Sequence, residues 1–233
     1  MISAIIVAYN EEVHIRSIIG ELRKQQFSDE YEIILADGSS TDKTISLAEE
    51  EGISIINCRK GKACQMNDAV KVARGDVLFF VHADMKLAVN TMSVIQKQID
   101  LGFDGGGFAN VFDAYNDKIK SIGRWMNFRF INNREQSDKG LFYGDNGIFV
   151  KRSVLDILQG FKEIPIMDDY DFSKRMRQHF KVIKIKQPPI IISARRHIKV
   201  GFFKTRFQWI AIRKLYQLGV QPKVLAQWYG DIR

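Results

Sequence analysis

One pattern repeats through the first hundred residues: a short apolar run, a polar turn, and a stretch with apolar residues at helical spacing. Continuous apolar runs are typical of strands that are covered on both faces, as in parallel sheets. The order βαβαβαβ therefore predicts a parallel sheet with helices on both of its faces. The predicted strands are Ile2–Ala8, 31–36, 53–56 and 77–81.

Helix patterns separate these strands, and less regular elements follow them. Asn10 precedes apolar residues at helical spacing and is predicted to cap the first helix. Two further helices are predicted over about 43–50 and from Gly61 to near Gly75. In the second half we predict strands from Gly105 toward Tyr115, within 141–151, over 181–186 and over 190–192, with Pro188 and Pro189 separating the last two. We predict helices over about 117–130, over 167–179 and over 202–218, and a short helix capped by Ser153.

Charge is unevenly distributed along the chain. The 233 residues include 35 Lys or Arg and 27 Asp or Glu, for a net charge of +8. Residues 172–230 hold 14 of the basic residues and no acidic one, which leaves 21 basic and 27 acidic residues elsewhere. Such a region can face phosphates, anionic lipid headgroups or nucleic acid, or it can be a solvated surface. Its basic residues form no nucleic-acid-binding motif, so we predict no nucleic-acid partner.

Aromatic residues are interleaved with the basic residues of this C-terminal region. The mixture is typical of a peripheral contact with a membrane interface, where an acceptor would be lipid-linked. The same aromatic residues could instead pack a helix against the core, and the sequence leaves both interpretations open. The residues concerned are Phe202, Phe203, Phe207, Trp209, Ile210 and Trp228, among Lys199, Lys204, Arg206, Arg213 and Lys214.

The sequence also bears on the compartment. Cys58 and Cys64 match no common zinc spacing, so we expect two reduced thiols in a cytoplasmic protein, with the inner face of the membrane as a further place of action. The apolar N-terminus has no basic residues ahead of it, which favours a strand over a signal peptide. No uncharged apolar run approaches the roughly 20 residues that span a bilayer.

Four polar clusters directly follow the predicted strands. Ligands in open α/β sheets bind beyond the carboxyl ends of the strands, so we expect the clusters to line one crevice. Asp84 could bind Mg²⁺ or Mn²⁺, which prefer oxygen ligands, or cap a helix. Asp37 could accept hydrogen bonds from a base or ribose, or form an Asx turn. The clusters are Tyr9-Asn10-Glu11, Asp37-Gly38-Ser39, residues 59–62 and His82-Ala83-Asp84.

Two charged clusters in the second half have both functional and structural interpretations. Asp168 and Asp169 begin a predicted helix, where acids either stabilise the helix dipole or supply a general base. Arg195 and Arg196 either bind phosphate oxygens bidentately or form surface salt bridges. His197 can be a metal ligand, a phosphate donor or an ordinary surface residue. Neither a Gly-rich dinucleotide loop nor a P-loop is present, which argues against a dehydrogenase, a kinase or an ATPase.

Together these segments resemble the inverting family 2 glycosyltransferases of the GT-A fold, and most of all a compact bacterial subgroup of about this length. The resemblance implies the α/β fold of nucleotide-diphospho-sugar transferases, with a mostly parallel central sheet and helices on both faces. We expect one domain over 1–233, with a nucleotide-binding half (1–100) and an acceptor half (101–233). The matching stretches are IIVAYNEE (5–12), LADGSSTDKT (35–44), GKACQMNDAV (61–70), GDVLFFVHAD (75–84), MDDYDFSKRMR (167–177) and, in the subgroup, YGDNGIFVKR (143–152) and SARRH…LYQLGV (193–220).

The resemblance implies a nucleotide-diphospho-sugar donor and a divalent metal, Mn²⁺ or Mg²⁺. Tyr9, Glu11 and Asp37 match positions that line the base and ribose site, with Lys62 nearby. Asp84 matches the last Asp of the metal-binding DxD motif. His82 and His197 are further candidate metal ligands.

The resemblance also assigns the reacting groups. Asp169 matches the catalytic base, which removes a proton from an acceptor hydroxyl so that the sugar is transferred with inversion. Asp168 stands beside it where Glu is usual. The predicted acceptor or phosphate residues are Asp145, Asp168, Arg195 and Arg196.

Two departures from the family pattern keep other functions open. Ala36 replaces the first acid of a frequent DDGS turn, and the DxD position holds one carboxylate only, in His82-Ala83-Asp84. A non-catalytic nucleotide-sugar-binding protein would explain the loss of these acids, although Asp84 and Asp169 are both retained. A sugar-phosphate nucleotidyltransferase is the other alternative, but its Gly-rich basic loop is missing after the first strand. The QxxRW element and membrane spans of processive synthases are also missing, which favours a single transfer.

Overall fold

The computed structural model describes residues 1–113, 121 and 146–230. Elements are numbered in chain order over these residues. The strands are β1 (Ile2–Ala8), β2 (Tyr31–Asp37), β3 (Ser54–Asn57), β4 (Val77–His82), β5 (Gly105–Phe112), β6 (Phe149–Lys151) and β7 (Val182–Ile192). The helices are α1 (Ile15–Arg23), α2 (Thr44–Glu50), α3 (Lys62–Val70), α4 (Thr91–Asp100), α5 (Arg152–Ile157), α6 (Asp168–His179), α7 (Arg195–Val200), α8 (Phe202–Gln217) and α9 (Pro222–Tyr229).

The seven strands form one sheet in the order β3-β2-β1-β4-β6-β5-β7. The first four strands pair in parallel, β6 runs antiparallel to both of its neighbours, and β5 pairs in parallel with β7. The prediction of a mostly parallel α/β sheet is therefore confirmed. Strands from both halves of the chain share this sheet, so no break in it marks the division at residue 100.

Helices cover both faces of the sheet because the central strands are apolar on both sides. Every residue of β1 is buried, and its alternate side chains enter two different cores. Ile2, Ala4 and Ile6 pack with the apolar stripe of α1 on one face. Ile5 and Val7 pack on the other face with residues of α3 and α6. This two-sided burial is what produces the continuous apolar runs seen in the sequence.

Three local predictions were wrong. Asn10 does not cap α1, which begins at Ile15. Asn10 instead has a φ of 54°, a left-handed conformation that Asn tolerates well, and its side chain accepts a hydrogen bond from the Thr41 amide at 2.8 Å. Ser153 does not cap α5, because that helix begins one residue earlier, at Arg152. The prolines do not divide the last strand, since β7 continues through them to Ile192.

The prolines are tolerated because of where they fall in β7. The register of β5 and β7 shifts between Phe108, which pairs with Ile185, and Asn110, which pairs with Ile190. Pro188 and Pro189 thus lie in an irregular stretch, where a missing N–H removes no ladder hydrogen bond. β7 is also an edge strand of the sheet.

Other elements went unpredicted or cannot be compared. α4, α7 and α9 were not predicted. The predicted helix over about 117–130 lies almost wholly outside the described residues, as does the first part of the predicted strand within 141–151.

The last two helices, α8 and α9, pack over the beginning of α6. Ile212 of α8 and Leu225 of α9 form a small core with Ile166, Met167 and Tyr170. Two side-chain hydrogen bonds add to it: Gln217 Nε2 donates to the Tyr170 hydroxyl at 2.5 Å, and Tyr216 donates to Asp171 Oδ1 at 3.3 Å. Within the part of the chain that the structure describes, no helix has the length and hydropathy needed to cross a membrane.

Candidate active site

The carboxyl ends of β1, β2 and β4 lie side by side, as the parallel topology requires. Ala8 pairs with Asp37, and Val7 pairs with His82. The loops that follow β1 and β2 are hydrogen-bonded to each other: the Asn10 amide donates to Ser40 Oγ at 2.8 Å, and the Glu11 amide donates to Thr44 Oγ1 at 2.8 Å. The two polar clusters predicted to converge therefore form one connected edge.

Asp37 organises the turn after β2. Its side chain is fully buried, and Ser40 donates to it twice, from the amide to Oδ2 at 2.7 Å and from the hydroxyl to Oδ1 at 2.5 Å. Because Ser40 Oγ also accepts from Asn10, Asp37 fixes the loop of the neighbouring strand through one intermediate. The amide donor lies three residues after Asp37, whereas an Asx turn uses the amide two residues on, so the predicted structural role takes a related form. A contact of Asp37 with a base or ribose stays a prediction.

Gln65 is a site residue that sequence reasoning missed. From α3 its Nε2 donates to the Ala8 carbonyl at 2.6 Å and to the Ala36 carbonyl at 2.9 Å, so it joins the ends of β1 and β2. A Cβ added to Gly38 would lie 2.9 Å from the Gln65 amide carbon, which explains a glycine at that position. The available signal was a polar residue on the apolar face of a helix, where a buried amide must find partners.

Tyr9 contacts Lys60, which belongs to the predicted cluster 59–62. Lys60 Nζ lies 4.2 Å from the centre of the Tyr9 ring and 3.1 Å from its hydroxyl. The contact is a cation–π interaction together with a hydrogen bond. It presents an aromatic face and a positive charge next to each other at the end of β1, which suits a base and a phosphate.

Asp168 and Asp169 form a buried acidic pair with Lys62. Lys62 Nζ lies 3.6 Å from Asp168 Oδ1 and 3.4 Å from Asp169 Oδ2. Both carboxylates are almost completely buried, and Asp168 Oδ2 has no hydrogen-bond partner in the described structure. Burial, opposed by Lys62 and reinforced by Asp169, raises the pKa of Asp168 to about 6. Asp168 is therefore partly protonated at mildly acidic pH.

The turn before α6 places this pair. Met167 has a φ of 70°, which is uncommon for a residue with a side chain, and it is buried in the C-terminal core. Such a conformation persists only where the surrounding packing enforces it, and it is found most often at functional sites. The third acid of the turn, Asp171, has a different role, because Lys162 and Arg175 both bind it at 2.6 Å.

The raised pKa of Asp168 predicts an unusual dependence of stability on pH. A carboxyl whose pKa is higher in the folded state stabilises the fold below its unfolded value, near 4, and loses this contribution as pH rises through about 6. Asp168→Asn removes the ionisation. We expect the variant to gain about 2–3 kcal/mol in unfolding free energy over the unmodified protein between pH 4 and pH 8. Urea unfolding at both pH values measures it.

A matched control is Asp156→Asn, which neutralises an exposed carboxylate of α5. Its unfolding free energy should keep the pH dependence of the unmodified protein. Equal pH profiles for the Asp168 and Asp156 variants would show that Asp168 has the same pKa in the folded and unfolded states, contrary to this prediction.

Arg195 connects the ends of β1 and β4. Its Nη2 lies 2.9 Å from Asp84 Oδ2 and 3.6 Å from Glu11 Oε1. Two residues predicted to lie in one crevice thus face each other across one guanidinium group. Because Arg195 begins α7, this contact also fixes the C-terminal region against the carboxyl edge of the sheet.

The two residues that follow Arg195 both contact aromatic side chains. Arg196 stacks 3.4 Å from the centre of the Tyr229 ring and donates to the carbonyls of Tyr229 and Gly230. The ring of His197 lies 4.5 Å from that of Phe112 and 5.3 Å from that of Phe202. Burial, with Arg196 and Arg206 nearby, lowers the pKa of His197 to about 4, so its imidazole is neutral at physiological pH. Asp145 lies outside the described residues.

Few of the described side chains are placed to be ligands of a divalent cation. In residues 1–113 and 146–230, no three His, Cys, Asp or Glu side chains are grouped closely enough to hold a metal ion. Asp84 and Glu11 are nevertheless oxygen donors that face one cation, the Arg195 guanidinium. Mg²⁺ commonly takes one or two carboxylates and completes its shell with waters and substrate phosphates. The residues present fit such a partial site, in which a bound diphosphate supplies the missing oxygens.

The fold is an α/β sheet with acidic side chains gathered at the carboxyl edge of its strands. The profile of glycosyl transferase family 2 matches residues 3–159, more than half of the chain. The chain therefore belongs to glycosyl transferase family 2.

Two relatives show how far the sequence similarity extends. The uncharacterized glycosyltransferase YfnE of Bacillus subtilis (strain 168) is 26% identical over 184 residues, which cover 72% of this chain and 47% of the relative. An undecaprenyl-phosphate 4-deoxy-4-formamido-L-arabinose transferase of Pseudomonas fluorescens (strain SBW25) is 26% identical over 183 residues, 71% of this chain and 52% of the relative. The chain thus spans about half the length of these relatives.

Solved structures confirm the predicted GT-A fold. The mannosyltransferase PcManGT from Pyrobaculum calidifontis, in complex with GDP-Man and Mn²⁺, superposes with a TM-score of 0.70 at 19% identity, over 100% of this chain and 65% of that one. S. aureus TarS 1–349, in complex with UDP-GlcNAc, superposes with a TM-score of 0.68 at 18% identity, over 92% of this chain and 66% of that one.

Proposed function

We propose that the protein transfers a sugar from a nucleotide-diphospho-sugar to an acceptor hydroxyl in a single displacement that inverts the anomeric centre. The observation that carries this proposal is the buried pair of Asp168 and Asp169, with the half-exposed Lys62 beside both carboxylates. Two adjacent acids are costly to bury for stability alone, because their desolvation is unfavourable. Their placement is consistent with acid–base chemistry on a substrate.

Asp169 is the proposed general base. The Tyr170 amide donates to Asp169 Oδ1 at 2.6 Å, which fixes the orientation of the carboxylate at the start of α6. Oδ2 then accepts the proton of the acceptor hydroxyl, whose oxygen attacks the anomeric carbon from the face opposite the leaving diphosphate. Lys62 stabilises the ionised form of the base by its charge. The pKa of the neighbouring Asp168 is raised to about 6, so this carboxyl is partly protonated at mildly acidic pH.

Tyr9, Glu11, Asp37 and Lys62 form the proposed donor site. Tyr9 and Lys60 supply an aromatic surface and a cation, and Asp37 supports the loop on which Glu11 lies. The similarity in fold to proteins crystallised with GDP-Man and UDP-GlcNAc supports a nucleotide-sugar donor.

Asp84 is the proposed ligand of a divalent metal, with His82 beside it. Such a cation, when bound, neutralises charge that develops on the leaving diphosphate. Arg195 already supplies a positive charge at the same carboxylate, so we propose that it binds the diphosphate or gives way to the metal when the donor arrives. We assign no phosphate-binding role to Arg196, whose guanidinium contacts Tyr229 of α9.

The proposed acceptor is a lipid-linked molecule at the cytoplasmic face of a membrane. One relative is, by its name, an undecaprenyl-phosphate transferase, which supports an acceptor of this class. Two free thiols, Cys58 and Cys64, suit a reducing compartment.

A thermal-shift panel of UDP, GDP, CDP and dTDP, each with Mn²⁺, Mg²⁺ or EDTA, tests the donor and the metal together. A nucleotide at about a hundred times its dissociation constant adds about 2.7 kcal/mol, which raises Tm by about 5–10 °C for a chain of this size. We expect one nucleotide to give this shift with a metal and a much smaller one with EDTA. Asp84→Ala should abolish the dependence on metal.

Asp76→Ala is the matched control for that panel, because Asp76 is a highly exposed carboxylate just before the opposite end of β4. It should leave every shift unchanged. If no nucleotide stabilises the folded protein, the donor site is wrong. If the reaction with a nucleotide-sugar releases pyrophosphate rather than a nucleoside diphosphate, the protein is a nucleotidyltransferase.

A further inference from the structure

Helix α8 is apolar on two opposite faces. Its inward face, with Thr205 and Ile212 fully buried, packs over α6. Residues at helical spacing on the other face include Phe203, Phe207 and, just beyond the helix, Leu218, which are 65%, 71% and 80% exposed. A helix at a protein surface normally has a polar outer face. The outer apolar face of α8 is therefore unexplained by packing within the described residues.

The surroundings of this face carry one sign of charge. Lys199, Lys204 and Lys214 are all exposed, and no acidic residue occurs between 172 and 230. Trp228 and Val224, one turn apart on α9, are exposed as well. We call Phe203, Phe207, Leu218 and the three lysines the α8 outer face.

We propose that the α8 outer face binds the surface of an anionic lipid bilayer, with its two phenylalanines inserted below the headgroups. Exposed aromatic side chains next to lysines are the combination that such an interface selects, since the rings leave water and the lysines attract anionic headgroups. A second copy of the chain is a poor occupant, because its α8 outer face would bring the same positive charge. A nucleic-acid duplex, whose bases are stacked on one another, would leave the two rings without a hydrophobic partner.

Helix α8 is connected to both parts of the candidate site. Its inward face packs on Met167 and Tyr170, the residues that flank the acidic pair, and Gln217 donates to the Tyr170 hydroxyl. At its other end only Gly201 separates α8 from α7, which begins with Arg195 at the Asp84 carboxylate. A bilayer bound to α8 therefore lies close to both parts of the candidate site. This geometry suits an acceptor presented from the membrane, and to that extent it deepens the proposed function.

Vesicle flotation with the full chain tests the contact in the absence of donor and acceptor, so its outcome is independent of catalysis. The probes are phosphatidylcholine vesicles with and without phosphatidylglycerol. We expect flotation with the anionic vesicles, weaker at high salt, and little with the neutral ones. Phe203→Gln with Phe207→Gln should reduce partitioning at least about tenfold, because two buried rings are lost. The fold should survive, since both side chains point into solvent.

The matched control is Val13→Gln with Ile157→Gln, which removes two large apolar side chains that are 80% and 69% exposed away from α8. It should float like the unmodified protein. No flotation with anionic vesicles at low salt, or equal loss in both double variants, overturns the proposal. Light scattering that shows an oligomer, dissociated by the two phenylalanine substitutions, would assign the face to self-association instead.

Discussion

Asp169→Asn is expected to lower the rate of sugar transfer about a thousandfold while leaving donor binding intact. General base catalysis typically contributes between about a hundredfold and ten-thousandfold, and an amide cannot accept the proton of the acceptor hydroxyl. The amide keeps the size of the carboxylate and retains an oxygen that can accept from the Tyr170 amide. The measurement is the release of nucleoside diphosphate with acceptor present, together with the nucleotide thermal shift of the variant.

Two observations separate a lost base from a damaged site. Asp156→Asn changes an exposed carboxylate of α5 and should transfer sugar at the normal rate. The anomeric configuration of the product, followed by NMR, should be opposite to that of the donor, because a single displacement inverts it. Transfer by Asp169→Asn at a near-normal rate, or retention of configuration, would contradict the role given to Asp169.

Gly106→Ala is expected to have the largest effect on stability, with a loss of about 3 kcal/mol or more in the free energy of unfolding. Gly106 lies on β5 between β6 and β7, and a Cβ added there would overlap the backbone carbonyl oxygen of Ile183. Backbone atoms of a paired strand cannot move aside as a flexible side chain can. Because β7 leads directly into α7, the same change should also weaken nucleotide binding. Urea unfolding followed by circular dichroism measures the loss.

Gly20→Ala is the control for this substitution. Gly20 is in the interior of α1, and a Cβ added there meets no atom within 4 Å. Alanine is the better helix former, so this variant should be stabilised by up to about 1 kcal/mol. If Gly106→Ala unfolds at the same urea concentration as the unmodified protein, the close approach of β5 and β7 at this point is wrong.

Periodicity was sufficient to predict the first half of the fold. The central strands β1 and β4 are continuous apolar runs because both faces of the sheet are covered there, whereas the edge strand β3 has exposed polar ends. Between the strands lie helices whose apolar residues recur about every 3.6 positions. The carboxyl-end rule then brought the clusters at Tyr9, Asp37 and Asp84 to one edge. These inferences need only local patterns and a general property of parallel sheets.

Pairings between distant residues could not be read from the chain. The bridge from Arg195 to Asp84 and Glu11 joins residues more than a hundred positions apart, and nothing in the local sequence of any of them indicates the others. Asn10 was assigned to the wrong structure for the same reason, since the partner that defines its role is Thr41 on another loop. Local propensity was overridden by tertiary hydrogen bonds in this case.

Gln65 has a consequence for how a ligand would be received. The Ala8 carbonyl already accepts from the Gly38 amide at 2.9 Å, and Gln65 adds a second hydrogen bond to it and one to the Ala36 carbonyl. These contacts join the ends of β1 and β2 in the absence of a ligand. Where such a link is already formed, less conformational entropy is lost when a ligand binds, and more of the interaction energy appears as affinity.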